Sequence, residues 1–144
     1  MKGINCKLIA DVSLISGESI LLVKYKDRNR YDHQSGWFLP DDIINEFEHP
    51  EIAASRILFE QIRLSNINPE LDHIESFKGK DSTWHLVFHY KAYLKEIPDA
   101  ELSEDLETLD WFSLDELPDK KEVAHNGWAL YTIKAVTGRN SGLK

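Results

Sequence analysis

The chain opens on two apolar runs, Lys7–Ser16 (KLIADVSLIS) and Ser19–Lys26 (SILLVKYK), joined across Ser16-Gly17-Glu18. Their aliphatic and β-branched content, bounded by turn residues, predicts two strands. A polar, basic loop over residues 27–36 follows. After Pro50 the spacing changes. Ala54, Leu58 and Ile62 recur every four residues as the apolar stripe of an amphipathic helix, and Ile57 beside them widens it. Pro50 suits the first turn of that helix, and Glu51 suits the positive end of its dipole. Leu71–Lys78 and Thr83–Leu94 predict strands around a Lys78-Gly79-Lys80-Asp81 turn. The second is rich in strand-forming residues: Trp84, Val87, Phe88, Tyr90 and Tyr93. A last helix, containing Leu130, is expected from about Lys121 to Val136, weakened at Gly127 and stopped at Gly138. Residues 137–144 read as a loose tail.

These elements suit one domain over residues 1–144, with its core at about 7–136. At 144 residues and 42% hydrophobic content, the chain is long enough to bury that core. No apolar run is long enough to span a membrane, and the N-terminus has no signal-peptide pattern. With a single cysteine, Cys6, this points to the cytoplasm. Cys6 itself reads as a packed or edge residue. The net charge of −8 argues against nucleic acid as a partner. Local charge governs a pocket, however. Lys24, Lys26, Arg28 and Arg30 form a basic group that either meets phosphates or is a solvated loop. His85 and His89 share a face of their strand, about 13 Å apart, too far to chelate one ion. His33, His49, His73 and His125 have no ligand spacing, so no dedicated zinc site is expected.

The chemistry concentrates in Trp37–Leu64 (WFLPDDIINEFEHPEIAASRILFEQIRL). Laid against the pattern G-x5-E-x7-R-E-U-x-E-E-x-G-U (U aliphatic), the segment aligns without a gap. Glu48, Arg56, Leu58, Glu60 and Leu64 match. Asp42 and Arg63 stand at the two glycines, and Ile57 and Gln61 at two of the glutamates. The segment resembles the box of the Nudix hydrolase superfamily. The resemblance extends over roughly residues 7–136. Trp37-Phe38-Leu39-Pro40 resembles the W-x-L-P lead into the family's glycine pair, here Asp41 and Asp42. Residues 107–117 (ETLDWFSLDEL) resemble the family's late strand and its turn into a short helix. The resemblance implies an α/β (α+β) Nudix fold, a mixed β-sheet sandwiched between helices.

Cleaving a phosphoanhydride needs divalent cations that neutralise and position the phosphates and activate a water. Mg²⁺ takes oxygen ligands, usually one or two carboxylates beside phosphates and waters. Residues four apart share a helix face, so the family's glutamates at positions 57 and 61 project together. Ile57 cannot ligate a metal, and Gln61 has only an uncharged carbonyl oxygen. The resemblance therefore implies Mg²⁺ or Mn²⁺ if the protein is active, and otherwise no cofactor. Glu60 is then the remaining metal carboxylate, with Glu60 and Gln61 at the catalytic position. Ligand contacts are implied at Trp37, Leu39 and Arg28, and bracing of the box loop at Glu48 and Arg56. By spacing alone, Arg56 and Glu60 suit an i,i+4 ion pair.

Asp41 and Asp42 either obstruct the close approach that glycine permits or supply oxygens of their own. The acidic group Asp99, Glu101, Glu104, Asp105 and Glu107 is either a further carboxylate source or a solvated loop. Three functional readings stay open. One is a protein with weak or absent pyrophosphohydrolase activity that binds a nucleoside diphosphate-linked or related phosphate ligand. Another is an active Mg²⁺-dependent hydrolase of nucleoside-diphosphate compounds using Glu60. The third is a non-catalytic protein-interaction module. Reduced or lost activity is the expectation, with a small phosphate-containing ligand, no nucleic-acid or membrane partner, and pairing as a homodimer left open.

Overall fold

Strand β1 (Cys6–Ser16) is buried continuously from Ala10 to Ser16. A strand buried on both faces belongs in the middle of a sheet with cover on both sides. The structure, a computed structural model, describes residues 5–27, 35–79 and 82–138. Arg28, Arg30, His33, the Lys80-Asp81 end of the expected turn, and residues 139–144 lie outside the described residues. β1 pairs in parallel with β5 (Trp84–Leu94) from Cys6↔Trp84 to Ser16↔Leu94, and antiparallel with β2 (Ser19–Tyr25). β4 (Glu70–Lys78) adds outside β5 and β6 (Leu106–Ser113) outside β2, giving the order β4-β5-β1-β2-β6. The short β3 (Asp41–Ile43) pairs with Ile9–Asp11 of β1. Three residues are too few to show a period, so this strand was not legible in the sequence.

Successive strand residues face opposite sides of a sheet, and the two sides carry different helices. On one side, Ala54, Leu58 and Ile62 of α1 (Pro50–Ile62) join Val12, Leu14, Leu21 and Val23. Ile57 packs with Ala53, Ala10 and Ile44. On the other side, Leu130, Ile133 and Val136 of α2 (Ala124–Thr137) join Ile15, Ile20, Leu22 and Leu39. A mixed sheet between helices results. Among the described residues, no helix is long and apolar enough to cross a membrane.

Helix α1 ends at Arg63, which holds a left-handed conformation with φ 59° and ψ 32°. Its N–H bonds to the Phe59 carbonyl, and the Leu64 N–H to that of Leu58, the double closure that usually has glycine at this place. The glycine of the box pattern therefore has a backbone reason here, and arginine meets it with a strained Cβ. Arg63→Gly is expected to raise unfolding stability by about 0.5–1 kcal/mol, read from urea denaturation. A loss would mean that stacking of Arg63 over Phe59, at 5.9 Å, outweighs the strain.

The last helix corrects the expectation that it starts near Lys121. Lys120–Glu122 make one 3₁₀ turn, and Val123 is extended and bridged to Trp37. His125, Asn126 and Gly127 then adopt left-handed φ values of 53°, 57° and 88°. Holding Val123 against Trp37 leaves the chain one sharp turn in which to enter the helix. At Gly127 a Cβ would lie 2.5 Å from Lys120 Cγ. The residue expected to weaken the helix is the one that lets its entrance close.

Candidate functional site

The box places its polar residues by holding a loop against the start of α1. Arg56 donates from Nε and Nη2 to the two oxygens of Glu48 at 2.8 and 3.0 Å, a forked pair that fixes both planes. Glu48 also accepts from the Asn45 N–H. Arg56 Nη1 reaches Asp42 Oδ2 at 3.1 Å and Glu60 Oε1 at 2.8 Å, and Nη2 reaches the Ile43 carbonyl. The Arg56 hydrogen bond holds the Glu48 carboxyl below the usual carboxylate range, and its acidic neighbours push Arg56 further up. Asp42, standing where the pattern has glycine, has become a partner of Arg56. Glu60, the carboxylate expected at the catalytic position, is itself paired to Arg56 with its side chain 55% exposed.

Gln61 is buried at 3% exposure, and both ends of its amide are engaged. Nε2 donates to the Asp41 carbonyl at 2.8 Å, and Oε1 accepts from the Tyr25 hydroxyl at 2.8 Å. The ring closes because the Asp41 N–H donates to the same hydroxyl at 2.9 Å. Flipping the amide would set two acceptors, Oε1 and the Asp41 carbonyl, against each other, so the network fixes its orientation. A hard divalent cation here would need charged oxygens converging on the Asp41 carbonyl. That carbonyl instead meets an N–H, Ile57 is fully buried among apolar side chains, and Glu60 is tied to Arg56. As they stand, these side chains do not make a hard-cation site. Among the described residues, no group of three or more His, Cys, Asp or Glu side chains is placed to hold a metal.

Trp37 and Leu39 lie on the α2 side of the sheet. Trp37 meets Phe112 edge-on at 4.9 Å, with Lys24 Nζ 4.7 Å over its ring. Leu39 is buried in the α2 core. Gly36, just before Trp37, has φ +108° and lies where a Cβ would be 2.6 Å from the Glu122 carbonyl. That close approach docks the Trp37 segment beside the entrance to α2. Trp37 and Leu39 both line a cavity of about 20 Å³ with Asp11, Asp41, His125 and Trp128, room for about one water. Arg28, the third residue expected to touch ligand, lies outside the described residues. Asp99, Glu101, Glu104, Asp105 and Glu107 are exposed. The backbone of their loop caps α1, with Glu101 N–H on the Ile62 carbonyl and Ser103 N–H on that of Gln61.

The α2 face of the sheet carries a polar cluster that the spacing of residues along the chain does not reveal. Asp11, His89 and His73 sit side by side on β1, β5 and β4. His89, wholly buried, places Nδ1 2.8 Å from Asp11 Oδ1 and Nε2 2.9 Å from Glu75 Oε1. His73 stacks on it at 4.5 Å and bonds Asp72. Burial alone lowers the His89 pKa, but the hydrogen bonds and charges of Asp11 and Glu75 outweigh it and leave it raised. Burial pushes the Asp11 carboxyl up, with His89 pulling the other way. The ring has an N–H for each carboxylate only as imidazolium, so the charged histidine is the form the geometry favours. Spacing along one strand could not reveal neighbours on three. The one signal was Asp11, the lone carboxylate of a largely apolar strand.

A family model described as the NUDIX domain matches residues 8–131. A MutT NUDIX hydrolase from Burkholderia pseudomallei superposes with a TM-score of 0.75 at 21% identity, covering 92% of this chain and 98% of that one. A NUDIX hydrolase from Nitrosomonas europaea gives 0.71 at 20% identity, covering 90% and 86%. An Ap4A hydrolase from C. elegans gives 0.67 at 17%, covering 90% and 96%. Likeness at these identities concerns the fold. No curated protein matches the sequence.

Proposed function

Given that the chain belongs to the Nudix family, we propose that it binds a nucleoside diphosphate-linked or related phosphate ligand and hydrolyses it weakly or not at all. The observation that carries this reading is the Gln61 amide, closed between the Asp41 carbonyl and the Tyr25 hydroxyl. An amide N–H there supplies an uncharged hydrogen bond, where phosphoanhydride cleavage calls for a cation that neutralises charge and activates water. Ile57 adds apolar packing at the other glutamate position. Family members bind phosphate-containing nucleotides, and a neighbour in fold is named an Ap4A hydrolase. A protein that keeps the scaffold with a neutral centre keeps the means to bind without the means to cleave.

A second reading has one observation in its favour. Glu60 is in register with the box and half exposed, so exchanging its Arg56 contact for a metal costs little burial. Both readings are tested by phosphate release over a nucleoside-diphosphate panel with Mg²⁺ or Mn²⁺, comparing wild type with Glu60→Gln. Melting temperatures with the same ligands in chelator complete the test. The expectation is no release from either protein and a rise in melting temperature without metal, since a ligand at 100 times its Kd stabilises by about 2.7 kcal/mol. Metal-dependent release that Glu60→Gln abolishes would establish the enzyme instead.

A further inference from the structure

Between β4 and α2 lies a cleft of about 400 Å³ walled by His73, Glu75, Trp128, Tyr131, Thr132 and Ala135. It shares no residue with the Gln61 ring, and Trp128 and Thr132 stand between it and the small cavity beside Trp37 and Leu39. Glu75 is its charged wall. Glu75 Oε1 takes the 2.9 Å bond from His89 Nε2 and a longer one, 3.4 Å, from the Trp128 indole N–H. Behind it, His89 Nδ1 is held 2.8 and 2.9 Å from the two oxygens of buried Asp11. Two carboxylates around one imidazolium leave a net negative charge. It surfaces at Glu75, whose side chain is 39% exposed, whereas His89 is wholly covered. Both bonds fall on Oε1, so among the described residues none donates to Oε2. Beside this acceptor stand the Trp128 and Tyr131 rings, and aromatic faces attract planar and cationic groups.

A chain that only needed to close this face would set an apolar side chain at position 75, because an ion triad seldom stabilises more than hydrophobic packing of the same volume. We propose that the cleft binds a ligand through a planar amidine-type N–C–N edge, with Glu75 Oε2 accepting the first N–H and Trp128 stacking on the plane. The second N–H falls on Oε1, where the indole contact is long enough to yield. Asp11 and His89 are positioning residues: they hold the Glu75 carboxylate in one plane and touch no ligand. This edge occurs in amidinium and guanidinium cations and, uncharged, in a ring N–H beside an exocyclic amino group. Neither form needs a phosphate, so the site stands whether or not the box binds one.

Calorimetric titration of the whole chain with benzamidine, agmatine and guanosine, with uridine as a base lacking the edge, tests the assignment without phosphate or metal. At least one of the first three is expected to bind while uridine does not. Binding by benzamidine or agmatine alone assigns a cation, and by guanosine alone a neutral ring. Glu75→Gln is expected to weaken binding about tenfold or more, the usual scale for losing a charged acceptor. Glu70→Gln, exposed on the same strand and outside the cleft, is expected to leave it unchanged. Because Glu75→Gln alters the His89 contact, its circular dichroism and melting curve are recorded alongside, and Trp128→Leu tests the stacking wall separately. No heat from any of the three probes at millimolar concentration, or equal affinity in a folded Glu75→Gln protein, overturns the proposal.

Discussion

His89→Leu is expected to lower the unfolding free energy by about 3–5 kcal/mol, the cost of leaving one member of a buried ion pair uncompensated. The histidine is wholly buried and Asp11 is 6% exposed, so the carboxylate left behind stays largely out of solvent. Asp11→Leu combined with His89→Leu removes the stranded charge, and most of the loss is expected to return. Urea denaturation of the single and double variants reads both. A cost below about 1 kcal/mol for the single change would mean that Asp11 is already protonated in the folded protein. The wild type also carries a pH signature. The His89 pKa is raised by folding, so its contribution is complete below the ordinary histidine value of about 6.5. It is lost as pH rises through the folded value. Asp11, pushed up by burial, adds a decline of the same sign above the ordinary aspartate range. Wild-type stability therefore falls toward alkaline pH, and the double variant is expected to be flatter.

Restoring both box glutamates by Ile57→Glu with Gln61→Glu is expected to be the most damaging change in metal-free buffer. Ile57 has no exposed surface and packs on Ala10, Ile44 and Ala53, so a carboxylate there is buried without a partner. At position 61 a carboxylate would face the Asp41 carbonyl with no N–H between them. The combined loss is expected to reach about 4–5 kcal/mol, the upper end for point changes of this kind. Mn²⁺ or Mg²⁺ is expected to return part of it, because a cation between the new carboxylates and the Asp41 carbonyl replaces the missing hydrogen bond with ligation. Melting temperatures in chelator and in divalent salt decide the matter. A variant indifferent to the cation would place the defect in the loop that Asp42 and Arg56 hold, beyond the two replaced side chains.

The parts of the fold legible in the sequence were those governed by local period and turn chemistry. The four-residue spacing of Ala54, Leu58 and Ile62 marked α1 and its buried face, and Ile57 widened that face as its position implied. The strands β1, β2, β4 and β5 matched their apolar runs to within a residue or so. β3 and the left-handed entrance to α2 escaped, since both exist only because Trp37, Val123 and β1 meet across the fold. At the site, the motif names Glu48 and Arg56, and the fold sets Arg56 Nε 2.8 Å from Glu48 Oε2. The motif does not name the part played by Asp42, because an aspartate at a glycine position acquires a partner only when the loop folds onto Arg56.

By itself, the sequence determined the family, the helix that carries the box, and the absence of two carboxylates from it, all matters of residue type at fixed spacing along one element. Only the tertiary structure decided what those replacements do. Gln61 closes on Tyr25 and Asp41, 36 and 20 positions away, and Asp11 finds His89 at a separation of 78. Side chains that distant are brought together by strand order and register. Whether a polar residue becomes a ligand, a brace or a buried charge depends on which partner the sheet delivers to it.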